Sequence, residues 1–396
     1  MSYVMNSKRD RLVRGVSSVA AIILVGATGV ITIGGAAGAS AAKIGHKQAQ
    51  LSSMHDSKIA SLVAPNGDQN PYGIAIVPVT SGVLTKGNLL VSDFNNAAGT
   101  SGAGTTILQV NPSTGISSVF YSGVASTGPV GIAINPVNDG VWLGDYGTAT
   151  DGTASNDLLI SPTGKLIANF NNASTAGSAS FVGVWGQAVS QANGSVSFYW
   201  SNAGNATNGT GGGSVWRLSP HPTGTPNGQP VHSTYAEISG AQAATPAGKS
   251  VATAAGPQGM VFDPASGNLY ETNSASNTLY AIPTAATATG RVYPRDVYQG
   301  SALASPENVV LDPLNGDLLV VNGGNNNLVE ITPKGQIVAT LNLGAHQPAG
   351  ALFGLAATTD AAGNLVVYYV NDNENSLHAL TCLPMAQSVA PACAIH

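Results

Sequence analysis

Pro71-Tyr72-Gly73-Ile74-Ala75 opens a motif that recurs along the chain. After Pro-x-Gly, an apolar residue and Ala, the motif continues with an apolar run that ends in Asp or Asn, and then with Pro-x-x-Gly. Each copy is one supersecondary unit that cannot bury its apolar face alone, so several copies predict a repeat architecture. The other five copies, some of them irregular, are Pro129-Val130-Gly131-Ile132-Ala133, Trp185-Gly186-Gln187-Ala188, Pro257-Gln258-Gly259-Met260, Pro306-Glu307-Asn308-Val309 and Phe353-Gly354-Leu355-Ala356.

The first repeat contains four short apolar runs, separated by turns rich in Pro and Gly, at residues 73–77, 88–92, 106–110 and 116–120. Such runs predict strands. Successive copies lie 46 to 73 residues apart, which fits four-stranded propeller blades with loop insertions. The sequence therefore predicts an all-β fold, a six-bladed β-propeller of four-stranded antiparallel blades. In the longest interval, residues 220–249 are rich in Gly, Pro and Thr and are predicted to form a surface loop.

The ends of the repeat region predict how the ring closes. Residues 58–63 precede the first inner strand as residues 336–341 precede the last, so they are predicted to form an outer strand without a blade of its own. The sixth repeat lacks a fourth strand. We therefore expect the N-terminal strand to complete the last blade, which removes a free sheet edge.

Charged residues make up only 8% of the chain, against roughly 25% in an average soluble protein. Helical surfaces are usually rich in Glu, Lys and Arg, so this depletion favours an all-β chain whose surface carries Asn, Ser, Thr and Gly. The net charge is -5, and no basic cluster follows the N-terminal segment. Because binding to phosphate groups needs clustered Lys and Arg, nucleic acid is excluded as an expected partner.

The N-terminal segment has the pattern of an export signal. Lys8, Arg9, Arg11 and Arg14 precede an apolar stretch over residues 16–33, and Ala39-Ser40-Ala41 is a small-x-small cleavage site. The alternative is an uncleaved anchor, because the apolar stretch is near the length needed to span a bilayer. Only in that case is a membrane an expected partner. The pattern predicts a bacterial protein, secreted or located in the periplasm or at the cell surface.

The chain is thus expected to comprise a signal peptide (1–41), a linker (42–57), the propeller (58–381) and a tail (382–396), and to be a monomer. The tail contains the only two cysteines, Cys382 and Cys393. In an exported protein, a close pair of cysteines predicts a disulfide.

Over residues 58–381 the chain resembles the NHL-repeat family of β-propellers. The residues that carry the resemblance are Pro71 to Ala75, Ser92-Asp93-Phe94-Asn95-Asn96 and Asn111-Pro112, with their later counterparts. The third repeat departs from the pattern because it lacks the Pro, and the fifth because it has Asn308 in place of Gly. The resemblance implies a propeller fold but no single activity, since related propellers include lactonases, amidating lyases, streptogramin lyases and interaction modules.

The resemblance also implies that ligands bind on the face where the inner strands begin. The residue before the glycine of each inner strand would lie there, and this position is mostly apolar or aromatic with a single carboxylate. A protein, a glycan or a small molecule are the expected partners. The predicted ligand-binding residues are Tyr72, Trp185, Gln258, Glu307 and Phe353, and the sixth member of the ring is Val130.

No cofactor is firmly predicted, and the one candidate is Ca²⁺, which takes six to eight oxygen ligands. Lactonase-type propellers use such an ion to polarise a carbonyl and activate water. The favoured interpretation of these residues is nevertheless structural, because Asp and Asn at strand ends commonly bind backbone amides in turns. The candidate ligands are Asp93, Asp145, Asn273, Glu307 and Asn322.

Three functions remain open at this stage. The first is an exported binding or scaffold module, favoured because the ring of inner positions contains one carboxylate only. The second is a metal-dependent hydrolase or lyase of the lactonase or streptogramin-lyase kind, for which no catalytic residue is assigned. The third is a structural role in a surface layer or cell wall, indicated only by composition.

Overall fold

A computed structural model describes residues 51–147, 155–176, 178–192, 195–204, 213–220, 233–239, 256–288, 291–344 and 347–382. In these residues a single-turn 3-10 helix, Leu51–Ser53, precedes strands that form six separate four-stranded antiparallel sheets. The predicted all-β propeller with six blades is therefore confirmed. No described helix has the length and apolar character needed to cross a membrane.

The strands of the first three blades follow each other in chain order from the inside of the ring to the outside. Blade 1 consists of β2 (Gln69–Ile76), β3 (Leu89–Asn95), β4 (Thr106–Val110) and β5 (Ser117–Ser122). Blade 2 consists of β6 (Pro129–Ile134), β7 (Val141–Asp145), β8 (Asn156–Ile160) and β9 (Leu166–Phe170). Blade 3 consists of β10 (Val184–Ala192), β11 (Ser195–Asn202), β12 (Ser214–Pro220) and β13 (Ser233–Ser239).

Blades 4 and 5 repeat this order, and blade 6 takes its outer strand from the other end of the chain. Blade 4 consists of β14 (Pro257–Phe262), β15 (Leu269–Asn273), β16 (Thr278–Ile282) and β17 (Arg295–Gln299). Blade 5 consists of β18 (Pro306–Leu311), β19 (Leu318–Asn322), β20 (Asn327–Ile331) and β21 (Ile337–Asn342). Blade 6 consists of β22 (Leu352–Thr359), β23 (Leu365–Asn371), β24 (Ser376–Thr381) and β1 (His55–Ser61).

The pairing of β1 with β24 confirms the predicted ring closure. The two strands are antiparallel over their whole lengths, from His55 opposite Thr381 to Ser61 opposite Ser376. Side chains reinforce the pairing, because Asp56 accepts a hydrogen bond from the Tyr369 hydroxyl at 2.7 Å and lies 3.1 Å from Nδ1 of His378. The strand begins at His55, three residues before the expected start of the propeller.

One loop prediction was wrong. Residues 220–249 were expected to form a surface loop, but β13 lies in the middle of this stretch and pairs with β12. Blade 3 needs a fourth strand to match its neighbours, and this pairing satisfies the backbone groups along the outer edge of β12.

The core consists of apolar layers between neighbouring blades. Between blades 1 and 2, for example, Leu90 and Ile107 belong to the same buried cluster as Ile132 and Val141. Between blades 2 and 3, the ring of Trp142 stacks on that of Phe198 with their centroids 4.1 Å apart. These layers hold the six inner strands in fixed positions around the channel.

The predictions for the two ends of the chain lie outside the described residues. Residues 1–50 include the signal segment and most of the linker, and Cys393 lies in the tail beyond residue 382. Export and the disulfide between Cys382 and Cys393 therefore stay predictions.

Candidate functional site

Every inner strand begins with a β-bulge. In blade 1, Pro71 lies opposite Asp93 and the next pair is Ile74 with Val91, so β2 has one residue more than β3 over this step. A register shift follows the corresponding first pair in the other five blades. A bulge bends its strand and re-aims a side chain. The sequence motif therefore encodes a local irregularity that is repeated around the channel.

Glycine follows the bulged residue because neighbouring inner strands lie too close for a side chain. A Cβ atom on Gly73 would overlap the carbonyl oxygen of Val130, and one on Gly354 would overlap that of Tyr72. Blade 5 has Asn308 at this position, and its Cα would lie 2.6 Å from a Cβ atom on Gly259. Asn308, the single inner position without glycine, thus packs against the glycine of the preceding blade.

In every blade, one residue directly precedes the inner-strand glycine, or Asn308 in blade 5. These six residues meet at one end of the channel, which we call the channel mouth. All six are less than one-tenth exposed, so they close this end rather than line an open rim. They are Tyr72, Val130, Trp185, Gln258, Glu307 and Phe353.

Tyr72 lies at the centre of the aromatic contacts of the mouth. Its ring stacks on Phe353 with centroids 4.0 Å apart and on Phe94 with centroids 4.4 Å apart, so both of its faces are covered. The edge of Trp185 approaches the same ring at 5.6 Å, and Tyr146 meets Trp185 at 5.7 Å and 90°. Tyr72 was predicted to bind a ligand, but both faces of its ring are occupied by the protein itself.

Phe94 and Tyr146 were not predicted to belong to the site. Each follows directly after the Asp that pairs with the Pro of the inner strand, Asp93 in blade 1 and Asp145 in blade 2. Both rings are fully buried in the same cluster as Tyr72 and Trp185. The sequence signal that could have identified them is an aromatic residue directly after this Asp.

Blades 4 and 5 place polar groups at the mouth instead. The Ser305 hydroxyl donates a hydrogen bond of 3.0 Å to Oε1 of Glu307, and the Gln258 side-chain amide donates one of 2.9 Å to the Ser274 hydroxyl. Burial raises the pKa of the Glu307 carboxyl to about 8.

The Tyr72 hydroxyl interacts with carboxyl groups from two other blades. Burial raises its pKa well above the usual range, and the charges of Asp372 and Glu307 raise it further. Asp372, which follows β23, is half-buried, and burial raises its pKa to about 7. The sequence did not predict the interaction of Asp372 with Tyr72, because the repeat places only a turn residue at that position.

A cavity of about 340 Å³ fills the channel behind the mouth. Its lining is mostly backbone and apolar side chains of the inner strands, and Glu307 supplies the one carboxylate. Exposure increases along the strands, from Tyr72 and Phe353 at the mouth to the half-buried Ile76, Leu311 and Ala357 at the opposite end. The cavity is therefore closed at the mouth and more accessible from the end where the inner strands finish.

The predicted calcium ligands lie in four different blades and have different partners. Oδ1 of Asp145 accepts a hydrogen bond from Ser126 at 2.8 Å, and Oδ1 of Asn273 accepts one from the Ala275 amide at 3.1 Å. The side-chain amide of Asn322 donates to the Ala302 carbonyl at 2.8 Å. Of these three bonds, only that of Asn273 is the contact with a backbone amide that the structural interpretation predicted.

Glu307 bonds with Ser305, and Asp93 is buried with no hydrogen-bond partner on either carboxylate oxygen. Within the described ranges, no three residues of His, Cys, Asp or Glu are grouped so that they could hold a metal ion. Glu307 is thus the only one of the five candidates that lines the channel cavity.

No protein-family model matches the chain, and no curated protein matches it. The resemblance to NHL-repeat proteins therefore stays a prediction at the level of the family.

Solved structures match over 83% of this chain. A gluconolactonase from Xanthomonas campestris is 14% identical over 89% of its own length, with a TM-score of 0.51. An auxiliary nutrient binding protein from Bacteroides thetaiotaomicron is 11% identical over 76% of its length, with a TM-score of 0.52. An aldose sugar dehydrogenase from Streptomyces coelicolor, solved with bound PQQ, is 16% identical over 98% of its length, with a TM-score of 0.50. At these identities the likeness shows the six-bladed propeller fold alone.

Proposed function

We propose that this chain is an exported binding protein that holds a small, mostly apolar ligand in the channel of its propeller. The observation that carries the proposal is the cavity of about 340 Å³ that ends at Glu307. Ligand pockets are commonly about 300–1,000 Å³, with apolar walls and few polar groups that orient the ligand. The channel has this composition.

Glu307 is the group that would orient the ligand. One of its oxygens bonds with Ser305 at 3.0 Å, and the cavity around it is lined by residues such as Ile74, Met260 and Leu355. A ligand with one hydroxyl, amide or carbonyl group at its end would form a hydrogen bond with Glu307. Its remaining apolar part would contact the inner strands. The ligand would enter the channel from its accessible end, at Ile76 and Leu311.

The proposed location depends on the N-terminal segment. Its basic residues, apolar stretch and Ala39-Ser40-Ala41 site support export. The low content of charged residues agrees with a surface of Asn, Ser, Thr and Gly. Detection of the mature chain outside the cytoplasm, starting near residue 42, would test this part of the proposal separately.

A second candidate function is hydrolysis or elimination on a small substrate bound in the same channel. The observation that favours it is the pair of Glu307 and Asp372, which both interact with Tyr72 and have pKa values of about 8 and about 7. Carboxyl groups with a pKa near neutrality are suited to general acid–base catalysis.

Two variants of Glu307 separate the two functions. The wild-type protein is screened by thermal shift against small neutral alcohols, amides, lactones and esters, and hits are checked for turnover. For a binding protein, Glu307→Gln retains the hydrogen bond and most of the affinity, whereas Glu307→Met weakens binding about tenfold or more. For an enzyme, Glu307→Gln abolishes turnover, because an amide does not exchange a proton as a carboxyl group does.

Asp360→Asn is the control variant, because Asp360 is exposed in a turn and bonds only with that turn. It should leave both affinity and turnover unchanged. Equal affinity of the wild type and Glu307→Met for every hit would contradict the assignment of the channel as the ligand site.

A further inference from the structure

Asp93 differs from the other Asp at the same repeat position. It is fully buried at the end of β3, opposite Pro71, and neither carboxylate oxygen has a hydrogen-bond partner. Asp145 is equally buried opposite Pro129 in blade 2, but one of its oxygens accepts a hydrogen bond from Ser126. A buried carboxylate without a donor is costly unless something else compensates its charge.

Two further buried acceptor oxygens without donors belong to residues on the same pair of strands as Asp93. They are Oδ1 of Asn70 and Oδ1 of Asn95, both buried. Asn95 is two residues after Asp93, on the same face of β3. Gln69 pairs with Asn95 and Pro71 pairs with Asp93, so Asn70 lies between these two rungs of the ladder. Asn70 has a φ of 69°, a left-handed conformation that departs from the regular alternation of side chains.

A second carboxylate increases the negative charge of this region. Oδ2 of Asp68 accepts hydrogen bonds from the Thr105 amide at 2.9 Å and from the Thr106 hydroxyl at 2.7 Å, and Thr106 pairs with Asp93. Burial and then the charge of Asp68 raise the pKa of the Asp93 carboxyl. The ion pairs found among the described residues involve neither Asp68 nor Asp93.

We propose that Asp93, Asn70 and Asn95 bind a Ca²⁺ ion at the end of blade 1, with Asp68 as a nearby second negative charge. Carboxylate and amide oxygens are the ligands that this hard cation takes, and backbone carbonyls and water commonly complete its shell. The proposed site contains only two carboxylates. It therefore agrees with the finding that, in the described part of the chain, no three residues of His, Cys, Asp or Glu are grouped around a possible metal position. Of the calcium ligands that the sequence predicted, this site uses Asp93 alone.

The position of the site gives the ion a structural role. The backbone amide of Asn70 donates a 2.7 Å hydrogen bond to Oδ1 of Asn375, in the turn between β23 and β24 of blade 6. An ion held by the Asn70 side chain would therefore fix the junction between the first and the last blade, where the ring closes. This inference does not rest on the proposed ligand in the channel.

The test uses the full-length protein after removal of divalent ions with a chelator. Calcium is then titrated in a calorimeter, and thermal unfolding is followed with calcium, with magnesium and with chelator. We expect saturable calcium binding and a melting temperature about 4 °C higher at saturation, with a smaller effect of magnesium. Asp93→Asn should abolish this response, and Asn95→Ala should weaken calcium binding about tenfold.

Asp145→Asn is the matched control, because it makes the same change at the same repeat position in blade 2. It should retain the full calcium response. Absence of binding heat and of any melting shift up to about 5 mM calcium would overturn the proposal. An undiminished response in both Asp93→Asn and Asn95→Ala would also overturn it, since the ion would then bind elsewhere. If Asp93→Asn does not fold, the Asn95→Ala titration decides.

Discussion

The channel mouth has two unlike halves built from one repeat position. Blades 6, 1, 2 and 3 fill it with apolar or aromatic side chains, whereas blades 4 and 5 place an amide and a carboxyl group there. The apolar half consists of Phe353, Tyr72, Val130 and Trp185, and the polar half of Gln258 and Glu307.

The difference shows that one repeat position can serve packing in one half of the ring and carry polar groups in the other. In the apolar half, Tyr72 is covered on both faces by Phe94 and Phe353, so its contacts contribute to stability. In the polar half, Glu307 is held by Ser305 and faces an apolar cavity. We therefore expect changes in the apolar half to lower stability, and changes in the polar half to alter ligand affinity.

The largest effect is expected for Tyr72→Ala. This variant removes a buried ring with two stacked partners and leaves a cavity, so the free energy of unfolding should fall by about 4 kcal/mol. Equilibrium unfolding in guanidinium chloride measures the change. Tyr72→Phe is the control, because it keeps the ring and should cost less than about 1 kcal/mol. A loss below about 1 kcal/mol in Tyr72→Ala would show that the aromatic half does not stabilise the ring.

Gly354→Ala is expected to have the next largest effect. The added Cβ atom would overlap the carbonyl oxygen of Tyr72, so the inner strands of blades 6 and 1 must separate. Such overpacking should lower the free energy of unfolding by about 3 kcal/mol. Gly363→Ala supplies a contrast, because no heavy atom would lie within 4 Å of its Cβ atom and only its positive φ of 80° opposes the change. If the two variants are equally stable, close strand approach is not the reason for the inner glycine.

Glu330 in blade 5 gives a pH-dependent effect of intermediate size. Its side chain is fully buried, Oε1 accepts a hydrogen bond from Asn315 at 3.3 Å, and Oε2 has no partner. Burial, followed in smaller measure by the charges of Asp312 and Asp317, raises its pKa from 4.5 to about 7. The folded state favours the protonated carboxyl group of Glu330, so the stability that this group contributes is fully present below its unfolded-state pKa. This stability is lost as the pH rises through the folded-state pKa of about 7.

Between about pH 5 and about pH 8, the wild type should therefore lose about 2 kcal/mol more stability than Glu330→Gln, whose side chain does not ionise. The measurement is thermal or denaturant unfolding of both proteins across this pH range. Parallel pH profiles for the variant and the wild type would contradict the assignment.

The smallest effect is expected at Asn308, the one inner position without glycine. Asn308→Gly restores the repeat and removes a side chain that packs against Gly259. We expect a change in the free energy of unfolding of less than about 1 kcal/mol, because loss of packing and a more flexible backbone are modest terms. A large loss would show that Asn308 holds blades 4 and 5 together.

The sequence predicted the blades and their closure because both depend on local patterns. The Gly motif and the strand runs each lie within one repeat length. The unpaired strand near Ile59 resembles the outer strands of those repeats. Strand β13 was missed because it lies within a Gly-, Pro- and Thr-rich stretch, and its pairing with β12 defines it.

For the candidate site, the repeat identified the six mouth residues but not their contacts. The cover on Tyr72 comes from Phe94, in the next strand, and from Phe353, at the other end of the chain. The interaction of Tyr72 with Asp372 likewise joins blades 1 and 6. Contacts across the closed ring depend on three-dimensional geometry, which one sequence does not specify at the level of single side chains.

The most direct test of the two-halves account is the affinity of Phe94→Leu and Glu307→Met for one channel ligand identified in the screen. Phe94 stacks on Tyr72 but is absent from the cavity lining, whereas Glu307 lines the cavity. We predict that Phe94→Leu binds with wild-type affinity although it is less stable by about 1 kcal/mol, and that Glu307→Met binds about tenfold more weakly. Equal loss of affinity in the two variants, or a loss in Phe94→Leu alone, would contradict the account.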